Sequence, residues 1–282
     1  MTERPASPDQ LTLTLDNPRA ERVKKVAALA GRSARSRAGV LLVEGPQSVR
    51  EAVRFAPERV RDIYISADAL AKHRDIVAAA LEAGRWVHLG SPQVLEVMSA
   101  QGQGVVAVVD EVGVSLDDVL ALKPRLVAVM SNVRDPGNAG TVIRAADAAG
   151  ADAVILVGDC VDPSNPKVVR ATAGSLFHIP VVRSLPLLDA VVELQQAGLQ
   201  VLAADGSGDV TLGEAGADDD ALAKPTAWVL GNEAWGLSED ERGLMDSVVR
   251  IPIYGQAESL NLATAASVCL YASARAHRPS SH

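Results

Sequence analysis

The chain has 282 residues, 48% hydrophobic and 22% charged, enough to bury a core over two ordinary domains and too apolar for a disordered protein. Two cysteines, five scattered histidines and 3% aromatic residues exclude a disulfide scaffold, an ordinary structural zinc site and base stacking as the main mode of any nucleic-acid binding. The net charge of −8 speaks against a nucleic-acid partner, but it is uneven: residues 1–112 hold 15 basic and 14 acidic residues, residues 113–282 hold 12 and 21.

Residues 1–15 read as a frayed, polar terminus. Asn17-Pro18 opens an amphipathic helix through Leu29, ended by Gly31. Strand Val40–Glu44, helix 47–55, strand Arg61–Ser66, helix 68–83, strand Trp86–Leu89, helix Pro92–Met98 and strand 104–110 follow. Residues 16–110 therefore form a first α/β domain, and 111–124 a linker with a short helix around 116–121. A second alternating series occupies 125–282. It runs strand 126–131, helix 139–149, strand 153–157, a loop and helix 158–172, strand 179–182, helix 187–196 and strand 200–204. Strand Thr226–Leu230, a short helix 239–246, strand 248–253 and a last helix 259–276 complete it. Its strands are near-continuous apolar runs, as in parallel sheets covered on both faces. No apolar run reaches the ~18 residues of a membrane span, and the polar opening Met-Thr-Glu-Arg-Pro is no signal peptide. The expectation is a cytoplasmic protein without membrane contact.

Seven basic residues, Arg19, Arg22, Lys24, Lys25, Arg32, Arg35 and Arg37, stand against the single acid Glu21. Such a stretch is either a solvated face or a phosphate-binding surface. If it grips a polyanion, the acidic residues 218–220 and 239–241 should face solvent.

In open parallel sheets, ligands bind outside the carboxyl ends of the strands. Three loops there mix Gly, Pro and Asn with chemical groups: Ser131 to Arg144, Leu230 to Leu237, and Ile251 to Leu262. Asn138 suits the N-cap of helix 139–149, and Ser259 and Asn261 suit caps of the last helix. Glu233, between Gly231 and Gly236, suits a helix terminus or a salt bridge. Arg144 lies among apolar and small neighbours; it either pairs with an acid such as Asp147 or Glu233, or faces a cleft and handles an anionic or polar substrate. Taken together, three such loops at one end of a sheet point to a site. No dinucleotide or phosphate-loop glycine fingerprint is present; Gly102-Gln-Gly104 lacks the third glycine. Cys269, in a small-residue helix, reads as a core thiol.

These loops resemble the SpoU (TrmH-like) branch of the SPOUT RNA 2′-O-ribose methyltransferases over about Leu126 to Arg275. Asn132-Val-Arg-Asp-Pro-Gly-Asn-Ala-Gly140 leading to Arg144 is similar to the family's first motif. Gly231-Asn-Glu-Ala-Trp-Gly-Leu237 is similar to the second, and Ile251-Pro-Ile with Ser259-Leu-Asn261 to the third. Pro163 to Ser175 resembles a stretch common in rRNA-modifying members. Val43-Glu44-Gly45-Pro46 through Val53 is similar to the L30e-like substrate-binding domain of that branch.

The resemblance implies an α/β fold: a C-terminal parallel-sheet SPOUT domain tied in a trefoil knot, with a smaller N-terminal L30e-like domain. It implies a homodimer, S-adenosylmethionine as cofactor, no metal, and an RNA substrate, rRNA rather than tRNA. It places Arg144, Asn138, Glu233, Ser259 and Asn261 in catalysis, with Arg144 assisting deprotonation of the 2′-hydroxyl. A guanidinium is a poor base, so a phosphate contact, or a shift of the proton load, must help it. The cofactor is expected at Leu230, Gly231, Asn232, Gly236, Ile251, Ile253, Leu260 and Asn261, its adenine on main-chain groups near Ile251 and Leu260. RNA contacts are expected from the seven N-terminal basic residues, Arg134 and Arg170. The alternatives are a tRNA 2′-O-methyltransferase, a non-catalytic RNA-binding factor on the same fold, and a dinucleotide oxidoreductase.

Overall fold

Alternation along the strands decides both faces of the first sheet. In the computed structural model, which describes residues 4–213 and 221–277, Leu41, Val43, Ile63 and Ile65 point into one core and Val40, Leu42 and Tyr64 into another. The strands are β1 (Leu13–Leu15), β2 (Val40–Glu44), β3 (Val60–Ser66), β4 (Trp86–Gly90) and β5 (Val105–Asp110), in the order β1-β4-β3-β5-β2. β5 runs antiparallel to β2 and β3, while β1, β4 and β3 are parallel. Helices α1 (Glu21–Ala28) and α2 (Arg32–Ala38) precede β2, and α3 (Pro46–Phe55) follows it. Next come α4 (Ala67–Lys72), α5 (Arg74–Glu82) and α6 (Pro92–Met98). Val49, Ala52 and Val53 of α3 and Ile76, Val77 and Ala80 of α5 cover one face; Val23 and Val26 of α1 and Val94, Leu95 and Met98 of α6 cover the other.

Several elements differ from the sequence reading. Leu13–Leu15, expected in a frayed terminus, pairs with β4 as an edge strand. The basic stretch holds two helices, broken at Gly31. The helix expected over 68–83 is interrupted at His73, whose backbone (φ −128°, ψ 44°) is not helical.

The chain divides into two units: Met1–Val112 with Asp162–His178, and Gly113–Val161 with Ile179–His282. The sequence places residues 162–178 in the second half. Instead α9 (Pro166–Ala171) and the turn after it join the first unit, where Val169 and Phe177 are buried in its core.

The second unit is an all-parallel seven-stranded sheet. Its strands are β6 (Leu126–Ser131), β7 (Ala153–Val157), β8 (Val181–Leu185), β9 (Gln200–Ala204), β10 (Val210–Thr211), β11 (Thr226–Leu230) and β12 (Ser247–Arg250), in the order β10-β12-β9-β11-β6-β7-β8. β11 thus lies between β6 and β9, and β12 between β9 and β10; periodicity alone suggests a plain doubly wound order. The expected linker 111–124 is partly structured. Ser115 and Asp118 form a capping box that starts α7 (Leu116–Leu120), and Leu116 and Val119 are buried in this unit. Trp228 of β11 is fully buried and donates its indole N–H to Ser273 Oγ at 2.9 Å. Cys269 is also fully buried, and burial pushes its thiol pKa up to about 12. Among the described residues no helix is long and apolar enough to cross a membrane.

Candidate active site

Because β6, β9, β11 and β12 are parallel, their carboxyl ends and following loops gather at one edge of the second unit. After β6, helix α8 (Pro136–Ala149) starts three residues earlier than the sequence suggests. Asp135, not Asn138, is its N-cap, accepting from the Asn138 backbone N–H at 2.7 Å. The Asn138 side chain is thereby freed for other bonds. Its Nδ2 donates to Glu233 Oε1 at 3.3 Å, and its Oδ1 accepts from Asn261 Nδ2 at 3.0 Å. Glu233 also accepts from the backbone N–H groups of Arg134 (3.3 Å) and Asp135 (3.1 Å). Asn261 caps the last helix, Leu262–His277, by accepting from Ala263 N at 2.9 Å. Glu233, Asn138 and Asn261 therefore tie the three loops to one another.

The turn carrying Glu233 is closed by two main-chain hydrogen bonds between Asn232 and Gly236, of 3.0 and 2.9 Å. Asn232 is buried; its Nδ2 donates to Asn132 O at 2.6 Å and its Oδ1 accepts from Ala234 N at 2.8 Å. A Cβ on Gly231 would stand 2.5 Å from the Gly236 carbonyl carbon, and Gly236 has a positive φ of 66°. Gly231→Ala should therefore displace this turn and remove cofactor binding, while far-UV circular dichroism stays that of the folded chain. Retained affinity would refute the close-approach reading.

A cavity of about 260 Å³ opens beside this turn. Leu230, Gly231, Asn232, Glu233, Gly236, Ile251, Ile253, Ser259 and Leu260 line it, as do Ala204, Asp205, Gly206, Glu258, Leu262 and Ala265. Asn261 and Arg144 are not on its wall. The sequence reading misses the loop Ala204–Gly206, although Asp205-Gly206-Ser207-Gly208 follows the apolar strand 200–204 in the same way as the other three loops follow theirs. Burial alone would raise the Asp205 carboxyl pKa. Hydrogen bonds from the Ser207 hydroxyl (2.6 Å) and backbone N–H (2.9 Å), with the Arg242 guanidinium nearby, hold it below its ordinary value instead.

The wall thus has glycine-rich loops, apolar side chains, three carboxylates and no lysine or arginine. Backbone groups and Leu230, Ile251 and Leu260 suit an adenosine, and the carboxylates suit a cationic tail. A group bearing phosphates would meet only like charge. The residues present fit S-adenosylmethionine, whose sulfonium and ammonium are both positive.

Arg144 is exposed on α8 and has no hydrogen-bond or ion-pair partner among the described residues, so the pairing with Asp147 or Glu233 is not formed. Ser259 is exposed at the cavity edge. The candidate RNA-binding residues divide. Arg19, Lys24, Arg32 and Arg37 are exposed without a side-chain partner among the described residues. Lys25 pairs with Glu21, and Arg22 with Asp62 and the Tyr64 hydroxyl. Arg35 is only 2% exposed. It donates to Ser164 Oγ, Asp162 Oδ2 and the carbonyls of Leu29 and Ala30, so it is a structural residue, because a buried guanidinium must satisfy its donors internally. Arg170 is half-buried and ion-paired with Glu44. Arg134 pairs with Asp159 at 2.8 Å and lies over the Trp235 ring. Glu239 and Asp240 are exposed and Glu241 is bound into the Ser238 capping box; residues 218–220 lie outside the described residues.

Sequence and structure comparisons agree with this geometry. Residues 125–271 match the model of the SpoU rRNA methylase family, and residues 42–113 that of the RNA 2′-O ribose methyltransferase substrate-binding domain. The chain is 34% identical over 245 residues to the 23S rRNA (guanosine-2′-O-)-methyltransferase RlmB of Bordetella pertussis, covering 84% of this chain and 98% of the relative. It is 34% identical over 260 residues to a 23S rRNA (uridine(2479)-2′-O)-methyltransferase of Streptomyces viridochromogenes, covering 88% and 87%. The crystal structure of the SpoU methyltransferase AviRb of that organism, in complex with AdoMet, superposes with a TM-score of 0.77 at 32% identity, covering 91% of this chain and 98% of that one. The parallel α/β sheet, the cavity and these matches together define a methyltransferase. The chain belongs to the SpoU rRNA methylase family. It is accordingly an RNA 2′-O-ribose methyltransferase that uses S-adenosylmethionine.

Proposed function

We propose that this chain methylates a ribose 2′-hydroxyl in 23S rRNA, and that it works in the cytoplasm as a homodimer with a knotted catalytic unit. The observation that carries the reading is the carboxylate-lined, phosphate-averse cavity opening beside the Glu233–Asn138–Asn261 network. The names of the relatives, which act on 23S rRNA, support rRNA over tRNA. The insertion of β11 between β6 and β9 supports the knot.

S-adenosylmethionine supplies a methyl group already activated by positive sulfur. The work left to the protein is alignment and removal of one proton. Asp205 and Glu258 hold the cationic part of the cofactor; Gly231, Ile251 and Leu260 hold the adenosine. Glu233 fixes the loop 134–138 through two main-chain N–H groups and orients Asn138. Asn138 and Asn261 position the ribose, with Ser259 at the cavity edge. Arg144, exposed and without a partner among the described residues, meets the substrate phosphate, and its positive charge assists loss of the 2′-hydroxyl proton to water. In the first unit Arg19, Lys24, Arg32 and Arg37 hold the RNA backbone, and a dimer doubles these contacts. Domain limits near 16–110 and 125–282, with 162–178 committed to the first unit, fit this division of labour.

Two experiments test the reading. Calorimetric titration should show S-adenosylmethionine binding and no NAD binding. Labelled methyl groups should then enter unmodified 23S rRNA and leave tRNA unlabelled. Cofactor binding with no transfer to any RNA would favour a non-catalytic RNA-binding factor, and labelled tRNA would move the substrate.

A further inference from the structure

The chain has three tryptophans. Trp228 is buried in the core, and Trp86 is stacked parallel to the His88 ring with the Arg4 guanidinium over it. Trp235 is 58% exposed, although it sits in a turn closed by two main-chain hydrogen bonds. The closure of that turn by Asn232 and Gly236 fixes the Trp235 backbone, and Gly236, next to it in the chain, and Glu233, two residues before it, both line the cavity. A large aromatic side chain held in water between cavity-lining residues is placed to meet a substrate that enters the cavity.

One face of the indole is occupied. The Arg134 guanidinium lies 5.6 Å from the ring centroid and is itself oriented by Asp159. The surroundings are acidic: Asp205, Glu233 and Glu258 line the cavity, and Glu239 and Asp240 are exposed nearby in sequence. The carboxylates oppose a phosphate inside the cavity, so beyond the Arg144 contact an uncharged grip suits the target nucleotide. Every nucleobase offers a π-face, so stacking provides such a grip without selecting the base. A sequence-tolerant platform also agrees with relatives that modify guanosine in one case and uridine in another.

We propose that Trp235 is the stacking platform for the base of the nucleotide whose ribose is methylated, with Arg134 backing the ring. This rests on the methyltransferase reading above and adds to it the residue that holds the target base. It does not conflict with the aromatic-poor composition: the bulk of the RNA is held by phosphate contacts, and one ring suffices for one nucleotide.

The test compares wild type, Trp235→Ala and Trp235→Phe on an unmodified 23S rRNA transcript with labelled S-adenosylmethionine. The side chain is exposed, so both variants should fold as wild type, which thermal unfolding checks. Trp235→Ala should raise the KM for the transcript about tenfold or more, the loss expected for one base stack. Trp235→Phe should restore most of it, and cofactor affinity should be unchanged in both. RNA should quench tryptophan emission in wild type more than in Trp235→Phe. An unchanged KM in Trp235→Ala overturns the proposal alone, since wild-type transfer still supports the enzyme. So does a change of oligomeric state with KM unchanged, which would give the indole to a protein contact. A wild type that transfers no methyl to the transcript overturns the substrate reading and this proposal with it.

Discussion

Replacing Arg144 by alanine is expected to lower methyl transfer to rRNA by about 10²-fold or more, the usual range for loss of a group that assists proton transfer. Stability and S-adenosylmethionine affinity should stay those of the wild type. The surrounding sequence, Val142-Ile143-Arg144-Ala145-Ala146, leaves open a buried ion pair, whose truncation would cost several kcal/mol. The structure removes that option. Arg144 shares the exposed stripe of α8 with Gly137, Thr141 and Ala148, and none of these small neighbours covers it. Glu233, an acid within its reach on sequence grounds, is committed to Arg134, Asp135 and Asn138. Truncating an exposed, unpaired side chain changes stability by less than about 0.5 kcal/mol. Thermal unfolding, cofactor titration and methyl transfer on one preparation separate the roles. Normal specific activity in a destabilised protein would sink the assignment.

Much of the catalytic unit is legible in the sequence because its strands are uninterrupted apolar runs with glycine, proline and asparagine immediately after them. β6, β7, β9 and β11 fall where those runs predict. The same pattern exposes Glu233, Asn138 and Asn261, though not their bonds: Asn138 reads as a cap until Asp135 is seen to fill that place. The Asp205 loop carries a similar signal, but strand 200–204 is followed by an acidic, serine-containing turn easily taken for solvent-facing chain. Strand order is not legible. Periodicity marks each strand as buried without saying that β11 enters between β6 and β9. Nor does it say which core an amphipathic segment joins, and residues 162–178 join the first unit although both neighbours in sequence belong to the second.

Arg35 shows the sharpest limit of reading charge from sequence, and it carries the other large expected effect. Within Arg32-Ser-Ala-Arg-Ser-Arg37 nothing distinguishes it from Arg32 and Arg37, because its partners Asp162 and Ser164 lie 127 and 129 residues away. Its guanidinium makes four bonds and is nearly inaccessible to water. Burial tends to raise the Asp162 carboxyl pKa, but the Ser164 hydrogen bonds and Arg35 hold it below its ordinary value. Arg35→Ala removes the counter-charge and leaves two main-chain carbonyls without their donor, a change that costs about 3–5 kcal/mol. A drop in Tm on the order of 10 °C should result. A carboxyl with a lowered folded-state pKa contributes stability that is present above its unfolded value and lost as pH falls through the folded one. Wild type should therefore lose stability on acidification more steeply than Arg35→Ala does. Arg32→Ala with Arg37→Ala should do the opposite of Arg35→Ala. Tm should be unchanged, RNA affinity weaker, and the slope of log K against log salt flatter by roughly one unit for each phosphate no longer neutralised. If that double variant binds rRNA with wild-type affinity and slope, the stretch is a solvated face. If Arg35→Ala unfolds at the wild-type temperature, the buried cluster does not hold residues 162–164 in place, and Arg35 is free to meet RNA after all.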